Sequence, residues 1–270
     1  MKHIYKNYLL LFLIFLIIFL LFIFYIFDKK NIKVQYHLEN IYLKNIYLKK
    51  LYKNYINNNN FKIIEENNII IIENILNPDF FNFLKIQFND INIHSKNYVF
   101  RKGSGLDFFK LHDINDYNGL LELYYSYELT DLLSNIFKKN IQKPSLNDEN
   151  LCSLLIYSKE GDFIDWHKDY SNYYGDRYVC LLTLVNENKD KNGLSNNEFI
   201  YKFNNLDYKL KMKENSLVIF KGSDIFHKST PIKNGEKRIL LSMVFCDICQ
   251  EKKNIINFIY QKFKNSIIYN

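Results

Sequence analysis

At 270 residues the chain is long enough for one sizeable domain with appendages, and its formal net charge of +7 is unevenly placed. Residues 61–250 hold 23 Lys and Arg against 26 Asp and Glu, a balance of −3, so the basic excess sits on the flanks. A domain that processes nucleic acid keeps positive charge around its site to offset phosphate, so a DNA or RNA substrate is disfavoured. Asn, Ile, Lys and Tyr dominate, with eight Gly and three Pro, the mark of AT-rich coding. Ordinary Asn, Lys and Ile are therefore discounted as functional signals, and residues that run against the bias carry more weight.

A short N-terminal tail (1–8) precedes residues 9–27, Leu9 to Phe27, which are almost purely Leu, Ile, Phe and Tyr. As a helix this stretch rises about 28 Å, enough to cross the hydrocarbon core. No Ala, Gly or Ser stands nearby to make a cleavage site, so an uncleaved signal anchor is expected. The expected location is a single-pass position in the endoplasmic reticulum or another endomembrane. The flanking lysines lean towards a cytosolic C-terminal side, whereas so short an N-terminal tail is common in anchors that send the chain into the lumen. Residues 28–60 read as a Lys/Asn-rich stem, in which Ile41-Tyr42-Leu43-Lys44 is echoed at Ile46-Tyr47-Leu48-Lys49.

The globular domain is expected over 61–250, followed by a basic C-terminal tail at 251–270. Ile69 to Ile72 reads as a buried strand. Asn77-Pro78-Asp79 then supplies an N-cap, a first-turn proline and an acid, and Phe80, Phe81, Phe83, Leu84 and Phe88 form a helical apolar face. A second helix is expected from Glu128 to Phe137. After Pro144 the pattern turns to strands at 152–158, 162–169, 177–186, 198–203, 208–212, 215–222, 225–230 and 237–246. Eight strands behind packing helices make a mainly β protein, a double-stranded β-helix or jelly roll with N-terminal helices, preceded by one transmembrane helix. The lone Cys246-Asp247-Ile248-Cys249 has no second pair and no redox context. It reads as small apolar residues near a strand end, with pairing left open.

Within this pattern stand Asp165-Trp166-His167-Lys168-Asp169 and, one strand pair later, Phe226-His227-Lys228. On a strand His167 and Asp169 share a face, and His227 can close a set of two imidazoles and one carboxylate. Such a set occupies one face of a mid-row metal and leaves the opposite positions open. The alternative is three unrelated polar residues. Arg238 adds weight, because only three of the 36 Lys and Arg are Arg. A guanidinium kept against that bias suggests a need for a planar, bidentate fork for a carboxylate. It opens the apolar strand Arg238-Ile239-Leu240-Leu241-Ser242, where Ser242 shares its face and Lys237 does not. Trp166 faces away from His167 and is expected to pack.

The stretch resembles the Fe(II)/2-oxoglutarate-dependent dioxygenases, nearest the prolyl 4-hydroxylase-like branch. Tyr157 followed by Gly161-Asp162-Phe163 looks like the family's Tyr-x-x-Gly lead-in. Arg177 to Thr183, Asn215 to Phe220, and His227-Lys228-Ser229-Thr230-Pro231 with Gly235 to Arg238 match its later strands. Two departures touch the substrate side: Asn196-Asn197-Glu198 stands for Gly-Gly-Glu, and Val244-Phe245 replaces a frequent Trp. The resemblance implies Fe(2+) on His167, Asp169 and His227, with 2-oxoglutarate held by Arg238, Tyr157 and Thr183. It further implies O2 as co-reactant, ascorbate as reductant, succinate as product and a peptide, prolyl substrate. Competing readings are the same chemistry on a small molecule or nucleic acid, or a non-enzymatic metal-binding jelly roll.

Overall fold

The computed structural model describes residues 8–25, 48–58, 60–88, 96–98, 100–113, 119–145, 148 and 150–252. The chain divides into two units, Met1–Asn40 and Ile41–Asn270. In the first, the described part is helix α1 (Tyr8–Tyr25), uncharged and with its apolar side chains exposed. A helix of this length and composition serves equally as a membrane span or a signal sequence. Residues 26–27 of the expected span, most of the expected stem (28–47) and residues 253–270 of the expected tail lie outside the described residues.

The second unit is mainly β, as expected. It opens with the hairpin β1 (Lys62–Glu66) and β2 (Ile69–Glu73), then α2 (Pro78–Ile86), β3 (Lys96–Tyr98) and β4 (Arg101–Leu106). Helices α3 (Phe108–Asp113), α4 (Leu120–Tyr125) and α5 (Tyr127–Phe137) come next. The barrel strands follow as β5 (Cys152–Tyr157), β6 (Phe163–His167), β7 (Arg177–Glu187) and β8 (Phe199–Phe203). They end with β9 (Leu206–Leu210), β10 (Ser216–Lys221), β11 (His227–Ser229) and β12 (Lys237–Cys246).

All pairings are antiparallel. One face runs β1-β2-β10-β7-β12-β5-β4 and the other β4-β6-β11-β8-β9, with β3 beside β4. Strand β4 belongs to both: Ser104–Leu106 pair with β5, and Arg101–Lys102 with β6. The change of sheet falls at Gly103, whose φ of +152° suits a residue without Cβ. Strands β5 to β12 thus form a double-stranded β-helix. Every residue of β7 from Arg177 to Asn186 is buried, which is why this stretch reads as an unbroken apolar run.

The N-terminal helices form for local reasons. The Asn77 side chain accepts from the Asp79 N–H at 3.0 Å, Pro78 fills the first turn, and Phe80, Phe81 and Leu84 turn inward. Each buried Phe or Leu contributes about 1.5–3 kcal/mol. Residues 48–58, expected as stem, pack onto this layer: the Tyr55 ring lies 4.7 Å from Phe80, and the Tyr55 N–H donates to Glu128 of α5 at 2.8 Å.

Several expectations shift. Among the described residues, six of the nine non-glycine residues with positive φ are Asn, so the discounted asparagines carry structural information after all. Asn67-Asn68 and Asn204-Asn205 each place two successive residues in the left-handed region, the geometry of a two-residue type I′ hairpin turn. The second of these starts the ninth strand at Leu206 rather than 208. The sixth strand stops at His167 instead of reaching 169, and β1, β3, β4, α3 and α4 had no signal in the sequence reading. Cys246 and Cys249, read there as small apolar residues, form a disulfide, with Cα atoms 5.3 Å apart.

Candidate active site

Strands β6 and β11 are neighbours, and His227 stands directly opposite His167 in their register. The two rings are 4.2 Å apart, centre to centre. In each, Nδ1 meets a main-chain oxygen two residues back: Asp165 O at 2.8 Å for His167 and Ile225 O at 3.2 Å for His227. Donation by Nδ1–H sets the tautomer and leaves Nε2 as the lone-pair nitrogen. Phe199 and Phe220 pack around the His227 ring.

Asp169 arrives by a different route from the one its spacing suggested. It lies past the end of β6, so a shared strand face does not place it. Its N–H donates to Gly222 O at 3.0 Å, and the Gly222 N–H donates to Arg177 O at 3.0 Å. These bonds fold the loop back until Asp169 Oδ2 is 3.8 Å from His227 Nε2. One ligand atom from each of His167, Asp169 and His227 lies within 4.8 Å of the others. Two imidazoles and a carboxylate form a donor set suited to a mid-row divalent ion.

The same cavity is lined on β12 by the alternating residues Arg238, Leu240, Ser242 and Val244. Arg238 pairs with Tyr157 across β5, and its guanidinium carbon lies 5.9 Å from the Tyr157 ring centre. Only 1% of Arg238 is exposed. Nη1 donates to Asn197 Oδ1 at 2.5 Å and to Ser229 Oγ, and Nη2 to Met212 Sδ at 2.8 Å. Among the described residues no carboxylate lies within ion-pair distance of it, and burial pushes its pKa down to about 10. A buried cation with only neutral partners fits an incoming carboxylate. Thr183 sits opposite Leu240 on β7 but outside the cavity lining, fully buried, and among the described residues its hydroxyl has no hydrogen-bond partner. Trp166 packs as expected, its ring 5.1 Å from Phe226 and flanked by Lys202 and Lys228.

Sequence reasoning did not extend its scarcity argument to two further lining residues. All three arginines of the chain, Arg101, Arg177 and Arg238, are at most 5% exposed and line this one cavity. The scarcity that singled out Arg238 applied to the other two as well. Asn197 and Gly222 were also missed, the first because Asn was discounted.

No family model matches the chain, and no curated protein matches it. Solved structures do. An oxidoreductase of the 2OG-Fe(II) oxygenase family from Burkholderia pseudomallei aligns at TM-score 0.51 and 9% identity, over 69% of this chain and 89% of that one. The non-haem alpha-ketoglutarate-dependent epimerase SnoN from nogalamycin biosynthesis aligns at TM-score 0.51 and 9% identity, over 67% and 78%. A Pseudomonas putida prolyl-4-hydroxylase aligns at 0.47 and 14%, over 67% and 92%. The chain has the jelly-roll fold of the 2OG-Fe(II) oxygenases.

Proposed function

We propose that this chain is a membrane-anchored Fe(II)/2-oxoglutarate-dependent dioxygenase that hydroxylates a C–H bond, with a peptidyl, prolyl substrate. One observation carries the reading: Arg238 is a fully buried guanidinium with no carboxylate partner among the described residues, facing the cavity that His167, Asp169 and His227 also line. His167, Asp169 and His227 would hold Fe(II). Arg238 would take the far carboxylate of 2-oxoglutarate, with Tyr157 and Thr183 as the proposed supporting hydroxyls. Iron, when bound, supplies the oxygen activation that side chains cannot.

The chain's own residues bind, orient and keep the site dry. The Nδ1 bonds of both histidines fix the ring orientations and leave the Nε2 atoms available to a cation. Leu155, Val179, Leu181 and Leu240 wall the cavity with hydrocarbon, so the Arg238 fork acts in a low dielectric where a charge-assisted pair is strong. The balance is one 2-oxoglutarate, one O2 and one C–H substrate giving succinate, CO2 and the alcohol, with ascorbate as reductant for uncoupled turnovers. The prolyl substrate rests on the resemblance of 157–163 and 227–238 to the prolyl 4-hydroxylase-like branch, and the anchor on α1.

The test is succinate formation by the purified chain supplied with Fe(II), 2-oxoglutarate and O2, with and without proline-containing peptides. Stimulation by peptide is expected. Peptide-independent turnover would redirect the substrate to another class, and no succinate at all would leave a binding module. Arg238→Lys should weaken 2-oxoglutarate binding about tenfold and leave iron binding unchanged. Equal loss of both would overturn the role given to Arg238.

A further inference from the structure

Arg238 is gripped from behind by a string of buried polar groups. Asn186 Nδ2 donates to Met212 O at 2.6 Å, and Ser195 Oγ donates to Asn186 Oδ1 at 2.5 Å. The Asn197 N–H meets Ser195 Oγ at 3.3 Å. Asn197 Oδ1 then accepts from Arg238 Nη1 at 2.5 Å and from Ser229 Oγ at 3.0 Å. The Asn197 Nδ2 donates to Thr230 O, which fixes the amide so that its oxygen, not its NH2, faces the guanidinium.

We infer that Asn197 is a positioning residue for Arg238, aiming its fork into the cavity without neutralising it; the inference rests on the cosubstrate role proposed above. A guanidinium has five N–H donors. Asn197, Ser229 and Met212 engage three of them, leaving two, the number that the two oxygens of one carboxylate accept. An amide is the right acceptor for the task. A carboxylate at 197 would orient the fork equally well but form a buried ion pair and cancel the attraction for an anionic ligand. A glycine there would have no side chain with which to hold it. The Asn at this departure from Gly-Gly-Glu is therefore a working part of the site rather than coding drift.

The test is calorimetric titration of 2-oxoglutarate into the full-length, Fe(II)-loaded chain without oxygen, with Mn(II) affinity and thermal unfolding as companion readouts. Asn197→Asp, nearly isosteric, should weaken 2-oxoglutarate binding about tenfold while Mn(II) binding and folding hold. Asn197→Ala should also weaken it. In an Arg238→Lys background neither change should add more than about twofold, because the partner is gone. Unchanged 2-oxoglutarate affinity in Asn197→Asp, or an equal loss with and without Arg238, overturns the inference alone. Failure of the unaltered chain to bind 2-oxoglutarate overturns it together with the proposed function.

Discussion

Gly222 lies hard against Asp169: a Cβ at 222 would stand 2.5 Å from the Asp169 main-chain oxygen and 2.9 Å from its Cβ. The glycine is required by this close approach, which lets the Asp169 N–H reach Gly222 O and turns the carboxylate towards His227. Gly222→Ala must push the loop away from β10. Metal affinity should fall at least about tenfold while circular dichroism shows the barrel intact. An alanine variant that binds Mn(II) like the parent chain would show that Asp169 is placed by something else.

The three candidate ligands come from two neighbouring strands and the loop beyond one of them, so a bound ion would tie β6, β11 and that loop together. An ion that binds only the folded chain stabilises it by about 2.7 kcal/mol at a hundredfold excess over Kd. For a domain of this size that corresponds to a Tm rise of roughly 5–10 °C. Fe(II) or Mn(II) should produce it, and chelator or His227→Ala should abolish it. A Tm indifferent to saturating metal would remove the cluster from consideration as a metal site.

The Cys246–Cys249 disulfide closes the loop that anchors the segment between Asp169 and Arg177. Gly175 N–H donates to Ile248 O at 3.1 Å, Tyr174 N–H to Gln250 O at 3.0 Å and Lys252 N–H to Asn172 O at 2.7 Å. For so short a loop the entropy gain is about 2 kcal/mol. Reduction should therefore lower Tm by roughly 4–8 °C. Cys152 and Cys180 are buried and their thiols pushed up, and Cys246 is buried too, so before unfolding Cys249 alone should label with alkylating agent, and only after the disulfide is reduced. Labelling in intact cells would then report the compartment, since such a pair stays oxidised in the lumen and reduced in the cytosol.

The barrel was legible because its inner strands are long apolar runs, and the candidate site was marked by residue types that the composition avoids. His167, His227 and Arg238 were singled out by spacing and scarcity alone, and they line one cavity. What stayed hidden depends on partners far along the chain or on residues that look like background. Asp169 owes its position to a glycine after β10, which no local pattern shows. Arg238 on β12 is held by Ser229 on β11, Asn197 just before β8 and Met212 just after β9, which gather only when these strands pack. The short strand β3, the mixed strand β4 and the exposed edge β1 lack enough periodicity to be read. The turns at Asn67-Asn68 and Asn204-Asn205 were passed over because Asn is common throughout.

Lys143 gives a last test, of stability rather than activity. Its side chain is half-buried, with Nζ 3.4 Å from Ser126 O and 5.8 Å from the centre of the Tyr127 ring, and burial pushes its pKa down to about 8 against the opposing pull of Asp131. A folded-state pKa below the unfolded value of 10.5 means that the folded chain holds the proton less tightly. The destabilisation is therefore fully present below about pH 8 and is relieved as pH rises towards 10.5. Lys143→Met keeps the aliphatic bulk and removes the charge, so at pH 7 it should stabilise by on the order of 1–2 kcal/mol after allowing for residual solvent screening. Urea unfolding at pH 7 and above pH 10 separates the causes. A gain that shrinks at high pH belongs to the buried ammonium, whereas a gain equal at both would belong to packing against Tyr127.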